Sequence, residues 1–287
     1  MKLLILALIL PCLLFAETAD AQKEIPLPIG NLALPPSRQP GPLIGFGDNI
    51  VDPDEVVVSV MADAYIGKKN YTSDAVPSLI YGVNNDMSLY FALPYAPRNK
   101  DHAQHSKGFE DTIAQVEYAY YVKNTLHAID QATIVANVSL PTGSSSKNPV
   151  TGFGSYSTFL GGTYNHTGTD WLYFTSNGVT LTTSRHHKRS GNQFLYQCGF
   201  GHNIPSPKGY IFAWMVEFDG QYTEKNKVNG RRQPNTGGNT IYVTPSFWAS
   251  SNKTIFQLGM GFPVAQHLNG HQPKKHYSLV VSVGTTF

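Results

Sequence analysis

Between Tyr210 and Tyr222 the chain sets Tyr210, Phe212, Trp214, Val216, Phe218 and Tyr222 at alternate positions, with Met215, Glu217, Asp219 and Gln221 between them. Side chains of a β-strand point to opposite faces in turn, so this spacing puts the aromatics on one face and the polar groups on the other. A helix would scatter the same aromatics around its circumference. Thr112 to Lys123 repeats the pattern, with Val116, Tyr118, Tyr120 and Val122 opposing Gln115, Glu117, Tyr121 and Lys123. Segments of about ten residues with this alternation have the length a tilted strand needs to cross a bilayer.

Further segments of this kind fall at roughly 56–66, 75–83, 87–95, 132–141, 155–166, 171–183, 192–202, 239–250, 254–264 and 276–287. The connections alternate in kind. Asn84-Asn85-Asp86, 124–131, 167–170, 203–209 and 251–253 are mostly short and turn-like, whereas 67–74, 96–111, 142–154, 184–191, 224–238 and 265–275 are mostly longer and more polar. Outer-membrane barrels sort their connections this way, with turns on the periplasmic rim and loops on the extracellular rim. A soluble β-sandwich has no reason to do so. The expected fold is therefore all-β, a closed antiparallel transmembrane β-barrel of about twelve strands, Gram-negative outer-membrane type, over residues 56–287. Composition agrees: 14% charged residues and 12% aromatics suit a wall facing lipid better than the roughly 25% charged of a soluble domain. The mean hydropathy of −0.21 excludes a bundle of apolar helices but not a barrel.

The N-terminus reads as an export signal. Lys2 precedes an apolar run from Leu3 to Phe15, and Ala19-Asp20-Ala21 offers a cleavage site, so residues 1–21 are assigned as a signal peptide. The run is too short to cross a roughly 30 Å hydrocarbon core as a helix. Cys198 is then the one cysteine of the mature chain, and no internal disulfide is available. Residues 22–55 form a Pro-rich segment (Pro26, Pro28, Pro35, Pro36, Pro40, Pro42, Pro53) that cannot donate a regular ladder. It is expected either to hang in the periplasm or to fold back as a plug, and its composition favours a plain linker. The last strand alternates Tyr277, Leu279, Val281, Val283, Thr285 and Phe287 against His276, Ser278, Ser282, Gly284 and Thr286. Its terminal Phe287 resembles the signal read by the barrel-assembly machinery.

Three stretches carry a family resemblance. Tyr81-Gly82-Val83-Asn84-Asn85-Asp86-Met87-Ser88-Leu89, Gly108-Phe109-Glu110-Asp111 and Ser139-Leu140-Pro141-Thr142-Gly143-Ser144 resemble motifs of the outer-membrane protein family named for the MetA pathway of phenol degradation. Glu110 stands where that family's pattern has a small residue. The resemblance implies transport of small, often aromatic or apolar compounds across the outer membrane. Read physically, Gly82, Gly143 and Pro141 are first of all punctuation at strand ends.

The lumen-lining candidates are Asp63, Gln115, Glu117, Tyr121, Gln197, Glu217 and Asp219. Such carboxylates bias permeation toward neutral or cationic solutes, or pair with inward Lys123 or with Arg38 of a plugging segment. The predicted extracellular loops carry a basic rim, Lys68, Lys69, Arg185, Lys188, Arg189, Arg231, Arg232, Lys274 and Lys275, expected to meet lipopolysaccharide phosphates. Ser176-Asn177-Gly178 superficially resembles the serine site of barrel phospholipases, but Phe174 stands where the histidine would be, so no general base is in place and no enzyme is expected. His102/His105 and His267/His271 are read as solvated loop histidines rather than metal ligands. No cofactor motif or nucleic-acid module is visible, and neither a cofactor nor a nucleic-acid partner is expected. The leading function is an outer-membrane channel or uptake protein for a small-molecule solute, relatively apolar or aromatic. The alternative is a structural or surface-interaction barrel with a closed lumen, and the third is an outer-membrane lipid hydrolase.

Overall fold

The computed structural model describes residues 30–47, 49–185 and 187–287. The assigned signal peptide and residues 22–29 lie outside them. Among the described residues, seventeen strands form, and their pairings close a barrel. The first two wall strands are β1 (Val56–Gly67) and β2 (Asn70–Asn84). The third is split into β3 (Met87–Ala92) and β4 (Tyr95–Asp101), and the fourth into β5 (Gln104–Phe109) and β6 (Thr112–Asn124). Then come β7 (Ala128–Leu140), β8 (Ser157–Gly168) and β9 (Trp171–Thr182). The short β10 (Lys188–Arg189) precedes β11 (Gln193–Ile204) and β12 (Tyr210–Thr223). The short β13 (Lys227–Val228) and β14 (Arg231–Arg232) precede β15 (Gly238–Ser251), β16 (Thr254–Leu268) and β17 (Lys275–Thr286). Counting each split strand once, twelve strands form the wall; β10, β13 and β14 make a small separate sheet above it.

Closure is antiparallel throughout. β1 pairs with β2 on one side and with β17 on the other, from Val57↔Thr286 to Gly67↔Lys275. The terminal residue takes part: the Phe287 N–H donates to Val56 O at 2.9 Å and the Val56 N–H to Phe287 O at 3.1 Å. A closed barrel leaves no edge strand and satisfies the backbone without water, the condition for crossing lipid with strands.

The outer face is apolar. Val60 is 48% exposed, Leu160 58% and Val264 62%, and a contiguous surface of this kind is unfavourable in water but matches lipid. At the rim where β8–β9 and β11–β12 turn, Trp171 packs edge-on against His202 (4.3 Å) and Trp214 (5.9 Å). Amphipathic rings collect at the headgroup level of a membrane.

Two differences from the sequence reading concern the extracellular side. Residues 96–111, expected as a loop, contain the β4–β5 hairpin, which continues the wall past Pro94 and Glu110. Its residues include Arg98, Lys100 and Lys107, so beyond Tyr95 and Phe109 at its base it has no apolar side and gave no alternation to read. β2 likewise begins at Asn70, earlier than expected. The two family motifs here meet in space. The Asp111 carboxylate accepts the N–H groups of Gly143 (3.0 Å) and Phe153 (2.7 Å), and Thr142 Oγ1 donates to Glu110 O (2.7 Å). A Cβ on Gly143 would stand 2.9 Å from Asp111 Oδ1, so the Pro-Thr-Gly turn depends on a residue without one.

Candidate functional site

Residues 30–47 and 49–55 run inside the barrel. Two short 3-10 turns, Gly30–Ala33 and Pro36–Arg38, begin at the rim of β8 and β11. There the Asn31 N–H donates to Thr169 O (2.7 Å), Asn31 Nδ2 to Gly168 O (3.2 Å), and Asn203 Nδ2 to Asn31 Oδ1 (3.2 Å). The chain then climbs to mid-barrel and returns to enter β1 at Val56.

The prolines explain why it bonds to side chains rather than to another strand. Pro40 and Pro42 have no N–H, so no ladder can form along this stretch. The remaining amides and carbonyls are satisfied one by one by inward polar residues of the wall. The N–H groups of Leu43, Ile44 and Gly45 donate to the Glu217 carboxylate on β12 at 2.7, 3.0 and 3.1 Å. Successive amides aimed at one anion form a nest, an arrangement with fixed positive potential. The Phe46 N–H donates to Gln197 Oε1 (3.2 Å) and Phe46 O accepts from Ser176 Oγ (2.9 Å). Asn49 donates through its N–H (3.3 Å) and its Nδ2 (3.1 Å) to Glu117 Oε2, while Thr133 Oγ1 donates to the other oxygen at 2.8 Å. Gln257 Nε2 donates to Gly41 O (3.1 Å), Ser250 Oγ to Arg38 O (2.8 Å), and the Val51 N–H to Ser88 Oγ (3.1 Å). The Phe46 ring meets Phe159 edge-on at 4.7 Å.

The exit of this plug explains Gly82. The Asp54 N–H donates to Gly82 O, and the Gly82 N–H to Glu55 O. A Cβ at position 82 would stand 1.9 Å from Asp52 O, so only glycine lets the returning chain lie this close. Arg38 closes the segment on itself: its guanidinium donates to Glu55 Oε1 at 2.6 Å.

The lumen-lining candidates divide as follows. Glu117, Gln197 and Glu217 hold the plug. Asp219 accepts from Gln197 Nε2 (3.2 Å) and Thr244 Oγ1 (3.1 Å). Gln115 lines the cavity beside the plug. Asp63 is opposite Asp74 in the β1–β2 register, and one oxygen of each carboxylate is buried without a hydrogen-bond partner among the described residues.

Tyr121 is a correction. The β6–β7 register slips between Ala119 and Tyr121, and a bulge of one residue exchanges the two faces of the strand beyond it. Val122 and Asn124 consequently line the lumen mouth, and Tyr121, 44% exposed, points outward with Lys123. Among the described residues no lumen carboxylate therefore pairs with Lys123, and Arg38 pairs within its own segment.

Most of the basic rim is solvent-facing: Lys68, Lys69, Lys188, Arg231, Arg232 and Lys274 are exposed. Arg185 Nη1 donates to Gly154 O (3.3 Å) and Arg189 Nη2 to Asn192 Oδ1 (2.8 Å). Lys275 departs from the expectation. Its Nζ donates to Tyr65 O (3.3 Å) and Thr72 Oγ1 (3.2 Å), so the register slip at Ile66/Gly67 draws it back onto the wall rather than out to lipopolysaccharide. Sequence reasoning missed Ser88, Ser250 and Gln257 as plug anchors. Their one signal was a polar side chain on the inward side of a strand. Ser176, weighed only as a nucleophile, is 1% exposed and serves as another anchor.

Beside the plug a cavity of about 370 Å³ remains between it and the wall. Val57, Met61, Tyr90 and Ile113 are among its apolar lining, with Ser59, Ser78, Gln115 and Asn137 among the polar groups. Its volume and its mixture of apolar and polar side chains are compatible with a small organic ligand.

Wall, apolar exterior and threaded lumen together define a plugged β-barrel of the outer membrane. The chain belongs to the family described as "Putative MetA-pathway of phenol degradation", whose model matches residues 54–266. Among solved structures it is similar to the COG4313 outer membrane channel from Pseudomonas putida F1, at 14% identity over 87% of this chain and 99% of that one, with a TM-score of 0.70; at that identity the likeness is one of fold. The NanC porin is a weaker match, at 12% identity over 79% of this chain and 98% of that one, with a TM-score of 0.47. No curated protein matches the sequence.

Proposed function

We propose that the protein is an outer-membrane channel that takes up small, relatively apolar or aromatic molecules along the passage between plug and wall. The observation that carries this reading is the cavity of about 370 Å³, which mixes apolar and polar lining and is bounded on one side by a segment held by individual hydrogen bonds and side-chain contacts rather than by a ladder. Those bonds to lumen side chains can be exchanged for water when the plug shifts, whereas the wall ladder cannot. Family membership supports an aromatic solute, and the relative named above is itself a channel.

The function needs no chemistry. Ser176 Oγ is committed to Phe46 O, which argues against a lipid hydrolase. Export through cleavage after Ala21, docking of lipopolysaccharide on the basic rim, and delivery to the barrel-assembly machinery through Phe287 complete the reading. The number of plug anchors favours a second reading, a surface barrel whose lumen stays shut. Uptake of a labelled aromatic compound by cells with and without the protein separates the two. The channel reading requires faster uptake with the protein, and loss of that gain when bulk is added at Ser282 and Gly284, two cavity positions on β17. Equal uptake with and without the protein contradicts it.

A further inference from the structure

The β4–β5 hairpin carries a recess of about 670 Å³ on the extracellular side, against the loop that follows β7, lined by Arg98, His105, Ser106, Lys107 and Lys147, with Pro97 and Asn148. Three permanent cations and an imidazole converge there, and the lining residues include no carboxylate. The lining is built rather than incidental. Lys147 Nζ donates to Lys107 O at 2.6 Å, which fixes its ammonium across the hairpin. Gly108 makes this possible: its φ is +144°, and a Cβ there would stand 2.5 Å from Lys147 Nζ. Ser106 is opposite the buried Asn99 in the β4–β5 register, so its side chain falls on the other face of β5 from His105 and Lys107.

The surroundings select among anions. Tyr95 and Phe109 lie opposite each other on β4 and β5 and pack edge-on at 5.4 Å. Tyr95 also pairs with Ala75 of β2, on the face away from the inward Asp74 and Val76. Phe109 is 64% exposed and stands two residues below Lys107. Cations thus sit directly above an apolar aromatic patch on the lipid side of the wall, matching a molecule with a phosphate at the membrane surface and acyl chains beneath it.

We infer that this recess binds a phosphate of the lipid A portion of lipopolysaccharide, with Arg98, Lys107 and Lys147 as charge partners. The inference rests on the outer-membrane placement and narrows the diffuse basic rim to one site. It does not depend on the channel reading, because the assay measures binding alone.

The test titrates the full folded chain in detergent with diphosphorylated lipid A, with its dephosphorylated form, and with inorganic phosphate. The expected result is saturable binding of diphosphorylated lipid A, weakened at least about tenfold without its phosphates, the scale of one lost charge-assisted contact, with inorganic phosphate failing to compete. Arg98→Gln with Lys147→Gln should give a similar loss, and Arg98→Lys should retain most of the affinity. Heat-modifiable gel migration checks that each variant is folded, and Lys107→Gln, at an exposed side chain, should give a smaller loss and keeps the test decisive should the double variant fail to fold. Undiminished affinity in Lys107→Gln and in the folded double variant overturns the proposal. So does an equal loss on Arg231→Gln with Arg232→Gln at the β14 hairpin, which would mean diffuse charge, or tight competition by inorganic phosphate, which would mean a free-anion site.

Discussion

Replacing Glu217 with alanine removes the acceptor for three consecutive plug amides, those of Leu43, Ile44 and Gly45. Hydrogen bonds to a charged group contribute roughly 1.5–3 kcal/mol each, so the simple sum is about 4.5–9 kcal/mol. That sum overstates the loss, because contributions from one network are not additive and water can enter the vacated space. A realistic weakening of the seat is about 3–4 kcal/mol, or two to three orders of magnitude in the opening equilibrium at about 1.4 kcal/mol per decade. Hydrogen exchange reads this quantity directly, since amides exchange through local opening. In the folded variant, the peptide spanning 41–47 should exchange about 10²–10³ times faster than in the parent, while peptides from β7 and β8 should be unchanged. If the 41–47 amides exchange at the parent rate, the Glu217 bonds do not hold the plug and the account of its seating is wrong. Faster exchange everywhere would mean a destabilised barrel rather than an unseated plug.

Ser176→Ala removes one neutral bond to Phe46 O and should raise exchange at residues 46–47 by about tenfold or less, in line with about 1 kcal/mol; no lipase activity should be present to lose. Gly82→Ala forces a Cβ to within 1.9 Å of Asp52 O and should lower thermal stability in detergent by about 1–3 kcal/mol, as overpacking does, with a melting temperature equal to the parent's counting against the close passage. Asp63→Asn with Asp74→Asn removes two cross-strand lumen carboxylates. In the Glu217→Ala background this pair should lower the potassium-to-chloride permeability ratio read from reversal potentials, and an unchanged ratio would remove these residues from the ion path.

The wall was legible because lipid on one side and a polar lumen on the other impose a period of two on each strand. The strand Tyr210–Thr223 was read to within a residue of its ends, and Glu217 and Asp219 were assigned to the inner face. The signal failed where that constraint fails. Tyr121 was turned outward by a bulge that leaves no mark in composition, since Tyr120, Tyr121 and Val122 suit either face. The β4–β5 hairpin is apolar only at Tyr95 and Phe109 and looked like any polar loop. The plug's seat was hidden for another reason: its partners are up to 216 residues apart in the chain, as with Gly41 and Gln257, and the plug contributes mainly backbone groups, which every residue type carries. Prolines announced that residues 30–55 would form no ladder, but not which wall residues would satisfy their amides.

Single-channel conductance in planar bilayers, comparing the mature chain with a version lacking residues 22–54, tests the central claim most directly. The structure calls for small or infrequent openings in the mature chain and a large, persistent conductance once the segment is gone. Silence from both would mean that the inward side chains alone shut the barrel, and a uniformly large conductance from both would mean that the segment does not occupy the lumen.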